Sequence, residues 1–559
     1  MEICNFLAAL PNIDTNQMIQ YFNISFYVIV AIIVLGGIVG LIRGVWSSGF
    51  RLIFVGILVI LSYILAGTLG TAVANIDLAS FNIPSFTISG NAVEVTTIQK
   101  TLVNAIAAYS AGEGGDIQKI LDNPNTVKLI TELALMIVRL LTFIILAIIV
   151  IVVGNLLATI LYHVLFKHFI NKNLRKKVKL RLVGFAFGLV KTSMVASMLI
   201  VPFSGLLNSI SSAFKKASDE NNELKLDSEL YNQLHGWIEA YDKSMLAQGL
   251  FGWTSADGKT MDMRLLDVIT SDKDSTMKLS EEVTNITQIA ATLIGSNAVN
   301  MDDGTTVGIN AAIFLDSKVT STLLSLISSS ALCTQLLPIA ASFAFHLDEV
   351  EIYFDAYSLD NRLENIDWKN DLETLSGIFE DMADAGVIDQ DVINDPSILI
   401  DRIYNFNLDD KGEIAYSSTH EKLEETFKEF NKITAVKQLF PSFLYTLAKN
   451  SENDENKDSA NLSIADFLPT DNIEAYNNID WGNELANLYD ATYRINAVTE
   501  NAIVDYIKSP KDSNEEASQI KNVRKEDNND GGSSKDDKST KLIDSIIDNI
   551  SKIIPIFVG

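Results

Sequence analysis

Lys191 is the residue whose type and setting first suggest chemistry. It stands near the middle of an apolar run, Leu182–Val201, that carries no other charge. An ionisable group inside hydrocarbon costs roughly 3 kcal/mol or more, so it normally faces a protein interior or a water path. Such a lysine can relay protons or attract anions. It can equally snorkel toward the interface, or pair with the helix-end carbonyls of a neighbour. No acidic residue lies within any of the apolar runs described below, so no ion-pair partner is at hand. Other chemistry is scarce. Beyond residue 204 the histidines are His235, His346 and His420. A Ser–His–Asp hydrolase sets its nucleophile in a glycine-rich turn, and neither G-x-S-x-G nor G-D-S-G occurs there. His420-Glu421 lacks the second histidine of a zinc-protease helix, and no G-x-x-x-x-G-K-[ST] phosphate loop is present. Asn407–Gly412 places Lys411 where a calcium loop needs an oxygen ligand. Cys4 and Cys333 are too far apart to suggest a metal or disulfide framework. No catalytic residue, metal site or cofactor is expected, and the chain does not read as an enzyme.

The elements that must position Lys191 are membrane helices. Crossing the hydrocarbon takes about 20 apolar residues, and four runs qualify: Ile24–Ile42, Leu52–Asn75, Leu133–Leu161 and Leu182–Val201, the last closed by Pro202. Two loops between them are basic without an acid. One is Arg43–Arg51, and the other runs from Lys167 to Arg181 with seven lysines and arginines. An excess of Lys and Arg marks cytoplasmic loops. Both loops therefore face the cytoplasm, and the net-acidic segment Ile76–Glu132 faces outward. The N-terminus and everything after Val201 then lie outside as well. Met1–Phe22 lacks the basic leader of a signal peptide. Arg139, one turn inside the third run, is expected to snorkel. Gly36, Gly37, Gly40 and Gly44 recur at helical spacing. They can mark a close-packing face, which could also support a homo-oligomer, or reflect ordinary glycine use in membrane helices.

Arg181-Leu-Val-Gly184-Phe-Ala-Phe-Gly188-Leu-Val-Lys191 resembles the start of the last helix in the colicin V production (CvpA) family of bacterial inner-membrane proteins, R-L-x-G-x-x-F-G-x-x-K-G. Gly40-Leu-Ile-Arg43-Gly44 is similar to that family's G-x-x-R-G at the end of its first helix. Four spans and two short basic loops also match, over about residues 24–204. Two departures stand out. The family's aromatic-then-acid continuation is replaced by Val45-Trp46-Ser47-Ser48, and the glycine after the lysine is Thr192. The resemblance implies a scaffold or binding protein of the bacterial cytoplasmic membrane, linked to toxin production and export or to envelope physiology. The alternative is an oligomeric transporter or channel component, with Lys191 lining its path.

Beyond the membrane part the composition changes. Residues 1–204 carry 14 basic and 8 acidic side chains; the remainder carries 29 and 62. So acidic a surface argues against nucleic acid, which needs basic grooves. The lipid bilayer and envelope or secreted proteins are the expected partners. Residues 205–508 read as an acidic α-helical extracytoplasmic domain, and the fold class is all-α. Val319–Leu347 is charge-free but rich in Ser and Thr, which favours a buried helix pair over a fifth span. Within this domain Asn365-Ile-Asp367-Trp368-Lys-Asn-Asp-Leu372 returns as Asn478-Ile-Asp480-Trp481-Gly-Asn-Glu-Leu485. Asp367 and Asp480 suit helix N-caps, and each Trp would pack beneath the first turn. Residues 509–540 have the composition of a disordered linker. Residues 541–559 form an amphipathic stripe that docks on the domain or lies on the outer leaflet.

Overall fold

The computed structural model describes residues 15–498, apart from 112–123, 167–177, 453–472 and several shorter stretches. The expected linker and terminal amphipathic helix, Cys4 and most of the Lys167–Arg181 loop lie outside the described residues. Those described are all-α apart from three two-stranded ribbons. They pack as two units, Met1–Gly308 with Ser330–Leu336, and Ile309–Ser329 with Leu337–Gly559.

In the first unit four helices are long and apolar enough to cross a membrane: Thr15–Arg43, Val45–Ala74, Thr126–Val164 and Arg181–Ser218. We label the helices of this unit α1 (Thr15–Arg43), α2 (Val45–Ala74), α3 (Ile98–Ala111), α4 (Pro124–Ile149), α5 (Asn155–Leu161), α6 (Val178–Asp219), α7 (Glu229–Asp242), α8 (Met261–Thr270) and α9 (Leu279–Gly295). Helix α4 runs into α5 through a π-turn at Val150–Gly154. Branched aliphatics stand outward along the long helices; Ile53, Ile64 and Leu182 are each more than 60% exposed. Inward, Val55, Val59, Phe143, Ala147, Met198 and Val201 form one core.

Three expectations are corrected here. The loop Arg43–Arg51 is not a loop. Gly44 alone separates α1 from α2, at φ +79°, a left-handed conformation in which glycine is at ease. The Ser48 hydroxyl donates to the Gly40 carbonyl at 3.0 Å and closes the corner, so Arg51 rides on the second turn of α2. Second, Pro202 does not end the last span. It lies inside α6, which continues to Asp219. The buried stripe Met198, Val201, Ala213, Phe214 and Ala217 runs on beyond the proline and keeps the helix packed. The division expected at residue 204 therefore falls within α6 and within the first unit. Third, Arg139 does not snorkel. It is 2% exposed. Its Nε and Nη2 donate to Thr71 Oγ1 at 3.3 and 3.0 Å, and its Nη1 donates to the Thr270 carbonyl and Ser275 Oγ, both at 3.0 Å. A guanidinium at the C-terminus of α8 also meets the negative end of that helix. Arg139 thus ties two spans to the helices that cover this end of the bundle. There Asn208 donates to the buried Asp262 at 2.6 Å and accepts from the Tyr241 hydroxyl at 3.0 Å.

The second unit holds α10 (Ser317–Ser329), α11 (Ala331–Phe345, which begins in the first unit), α12 (Ala356–Glu364), α13 (Trp368–Asp384), α14 (Ser418–Glu429), α15 (Thr434–Glu452) and α16 (Trp481–Val498). The charge-free stretch is a helix pair bent by 101°. At the break the Glu282 carboxylate accepts from Ser330 Oγ and from the Ala331 and Leu332 amides at 2.7–3.1 Å, so α11 starts afresh there. The two repeats do begin helices. Asp367 accepts from the Asn370 amide and Asp480 from the Asn483 amide, each at 3.2 Å. Both motifs also grip α15. Trp368 packs in a cluster with Ala435 and Leu439; Trp481 packs with Val436 and Phe440, its ring 4.8 Å edge-to-face from that of Phe440. Asp371, in the first repeat, accepts from the Thr434 and Ala435 amides at 2.7 Å and from Thr434 Oγ1 at 2.9 Å, capping α15.

Asp371 is 2% exposed and satisfies three donors. Asp371→Ala should therefore cost about 2–3 kcal/mol, against about 1 for Asp367→Ala at a single exposed cap. Denaturant titration of the purified protein, read by tryptophan emission, checks the ranking.

Candidate functional site

The two motif segments meet face to face. A Cβ on Gly40 would lie 2.2 Å from the Gly184 carbonyl oxygen and 2.9 Å from Gly188 Cα; one on Gly188 would lie 2.4 Å from the Gly36 oxygen. Backbone therefore touches backbone where α1 crosses α6, and no side chain fits between them. Thr192, the residue after Lys191, is accommodated by Gly36 opposite, whose added Cβ would fall 1.9 Å from Thr192 Oγ1. Gly36, Gly40, Gly184 and Gly188 are thus packed within the chain, while an added Cβ on Gly44 would meet nothing within 4 Å.

Beside this crossing is a cavity of about 150 Å³, lined by Gly36, Val39, Gly40, Arg43, Ser48, Arg51, Gly188 and Lys191. A single water needs ~15 Å³ by the same measure, so the space holds several waters or a small polyatomic ligand. Three cations share it. Lys191 donates to Asn155 Oδ1 at 2.8 Å. The Asn155 amide is oriented for this by its own Nδ2, which donates to the Ile151 carbonyl at 2.7 Å. Asn155 directly follows the π-turn, and the extra residue of such a turn shifts the side chains after it around the helix. Lys191 thus finds a neighbour's side-chain carbonyl rather than a helix-end carbonyl. Arg51 is 5% exposed, and its buried Nε lacks a hydrogen-bond partner. Arg43 is exposed at the end of α1. Among the described residues neither arginine makes a hydrogen bond or ion pair, and no acid lines the cavity.

The motif residues Gly40, Arg43, Gly184, Gly188 and Lys191 are therefore brought together, with Gly44 at the adjoining corner. Arg181 lies on the first turns of α6 and is not among the lining residues. Sequence reasoning passed over three contributors: Arg51 and Ser48, taken as loop residues, and Asn155. The signal for the first two was their i,i+3 spacing, which puts both on one helix face.

The histidines stand elsewhere and singly. His235 meets Ser218 Oγ at 3.2 Å, and His346 meets the Ser342 carbonyl at 2.6 Å. His420 is buried among Tyr416, Tyr489 and Tyr493, with ring centroids 4.3–5.0 Å away. Burial holds its imidazole below the ordinary histidine range, against the pull of the Asp490 carboxylate. No group of His, Cys, Asp and Glu able to hold a metal occurs among the described residues. Asp367, Trp368, Asp480 and Trp481 serve packing in the second unit, as described above.

No family model, no curated protein and no solved structure matches this chain.

Adding a methyl group at Gly40 forces apart two backbones. Gly40→Ala should therefore sharply lower the yield of monodisperse protein extracted from membranes. Gly377→Ala, where a Cβ meets nothing within 4 Å, should leave it unchanged or raise it. Size-exclusion chromatography in detergent compares the two.

Proposed function

We propose that this protein is a multi-pass scaffold of the bacterial cytoplasmic membrane, CvpA-like in its membrane part, which supports toxin production and export or envelope physiology. In this reading the acidic second unit lies outside the membrane and engages envelope or secreted proteins, and both termini are extracytoplasmic. The observation that carries it is the interlock of Gly40 with Gly184 and Gly188, because the two motifs on which the resemblance rests form one contact. The outward row of branched aliphatics supports a lipid-facing bundle, since soluble proteins rarely expose so much contiguous apolar surface. The acid-free basic segments support the orientation.

The cavity with Lys191 favours a second reading, an oligomeric transporter or channel component. The two readings separate in cells that lack the chain and are complemented with variants. A scaffold predicts that loss of the chain cuts the export of secreted proteins several-fold, and that Lys191→Met restores at least half of it. A transporter predicts that Lys191→Met behaves like the deletion. Unchanged export in the deletion strain contradicts the scaffold. Quantitative proteomics of the culture medium and envelope reads all three outcomes.

A further inference from the structure

The bundle treats its buried arginines in two ways. Arg139 spends its donors on fixed protein oxygens of Thr71, Thr270 and Ser275. Arg51 is nearly as buried, borders a cavity, and finds no acceptor among the described residues. A buried charge without a counter-charge is expensive, and the cost rises when further cations share the space. Asn155 offers Lys191 one neutral oxygen, and Ser48 has already committed its hydroxyl to the Gly40 carbonyl. The protein thus supplies cations and withholds anions at one place. The lining also has the chemistry an oxyanion needs. Arg51 presents a planar donor fork suited to two oxygens at once, Lys191 adds a point charge from the facing helix, and exposed Arg43 stands at the rim.

We propose that the cavity between Arg43, Arg51 and Lys191 is a binding site for one phosphate-type oxyanion. Three cations call for a polyvalent, oxygen-rich ligand rather than a halide. A phosphomonoester near neutral pH carries about −1.5 to −2 charges on three acceptor oxygens. The group can arrive as the headgroup of an anionic lipid, because the site lies within a membrane bundle, or as a soluble phosphate reaching the rim at Arg43. The inference goes beyond the scaffold reading and does not depend on it, since it concerns binding by the purified membrane protein.

The test uses the full-length chain in nanodiscs of phosphatidylcholine, which carries no net charge. Inorganic phosphate is titrated in by calorimetry. Separately, native mass spectrometry counts the phosphatidic acid retained when that lipid makes up a tenth of the bilayer. Saturable binding of one phosphate per chain assigns a soluble ligand, whereas selective retention of one phosphatidic acid over phosphatidylcholine assigns a lipid. In either case Arg51→Met and Lys191→Met should each weaken binding at least tenfold, and Arg51→Lys should recover part of the loss. Arg43→Gln changes only an exposed side chain and so remains informative if the buried variants do not fold; it should weaken binding about threefold or more. Absence of both forms of binding overturns the proposal, as does binding of unchanged strength in Arg43→Gln and in whichever buried variants fold.

Discussion

The first unit depends on a contact from which side chains are excluded. Where Gly36 and Gly40 of one span meet Gly184 and Gly188 of another, the main chains approach to distances that no Cβ tolerates. Lipid tails are as apolar as leucine, so burial gives little drive for helices to associate in a membrane, and close van der Waals approach takes its place. The consequence extends past packing. Residues just beyond the crossing come within reach of one another, Arg43 on α1 and Lys191 on α6, and Arg51 joins them from α2. The same feature that joins the helices therefore concentrates positive charge. The other end of the bundle answers differently. Arg139 is closed off by hydroxyls and a helix-terminal carbonyl, and the chain after the last span folds back as a cap around Asn208, Asp262 and Tyr241.

The second unit solves a separate problem with a repeated device. Two copies of one helix start, separated by more than a hundred residues, apply their tryptophans to the same helix, α15, through the i,i+4 pairs Ala435/Leu439 and Val436/Phe440. The copies have diverged at their acid. Asp371 caps α15 with three hydrogen bonds. Glu484, its counterpart, is exposed, and the copies share only the backbone bond, Asp371 N to the Asp367 carbonyl and Glu484 N to the Asp480 carbonyl. The repeated motif thus works as a clamp on one element.

Much of this was legible in the chain. The four apolar runs form helices long and apolar enough to cross a membrane, and the helix starts at Asp367 and Asp480 followed from capping chemistry. What escaped depends on backbone geometry and distant contacts that composition does not carry. Ser47, Ser48 and Arg51 resembled a turn because nothing in their composition shows that one glycine at positive φ suffices to reverse the chain. Pro202 resembled a stop, although burial of the residues beyond it holds the helix together. Arg139 resembled a surface anchor because its acceptors, Thr270 and Ser275, come from more than a hundred residues away. The role of Asn155 hangs on a π-turn, which leaves no compositional trace.

On the proposed reading all four helices cross the bilayer, with the cation cavity at the cytoplasmic side. The most direct measurement is topology in intact cells. Cys4 and Cys333 are replaced, single cysteines are placed at Ser80, Asn173 or Glu373, and a membrane-impermeant maleimide is applied before and after the cells are opened. The account predicts labelling of Ser80 and Glu373 in intact cells, and of Asn173 only once cells are opened. Labelling of Asn173 in intact cells while Ser80 stays dark would invert the bundle and place the cavity outside. Ser80 and Asn173 on the same side would mean that the four helices do not all cross.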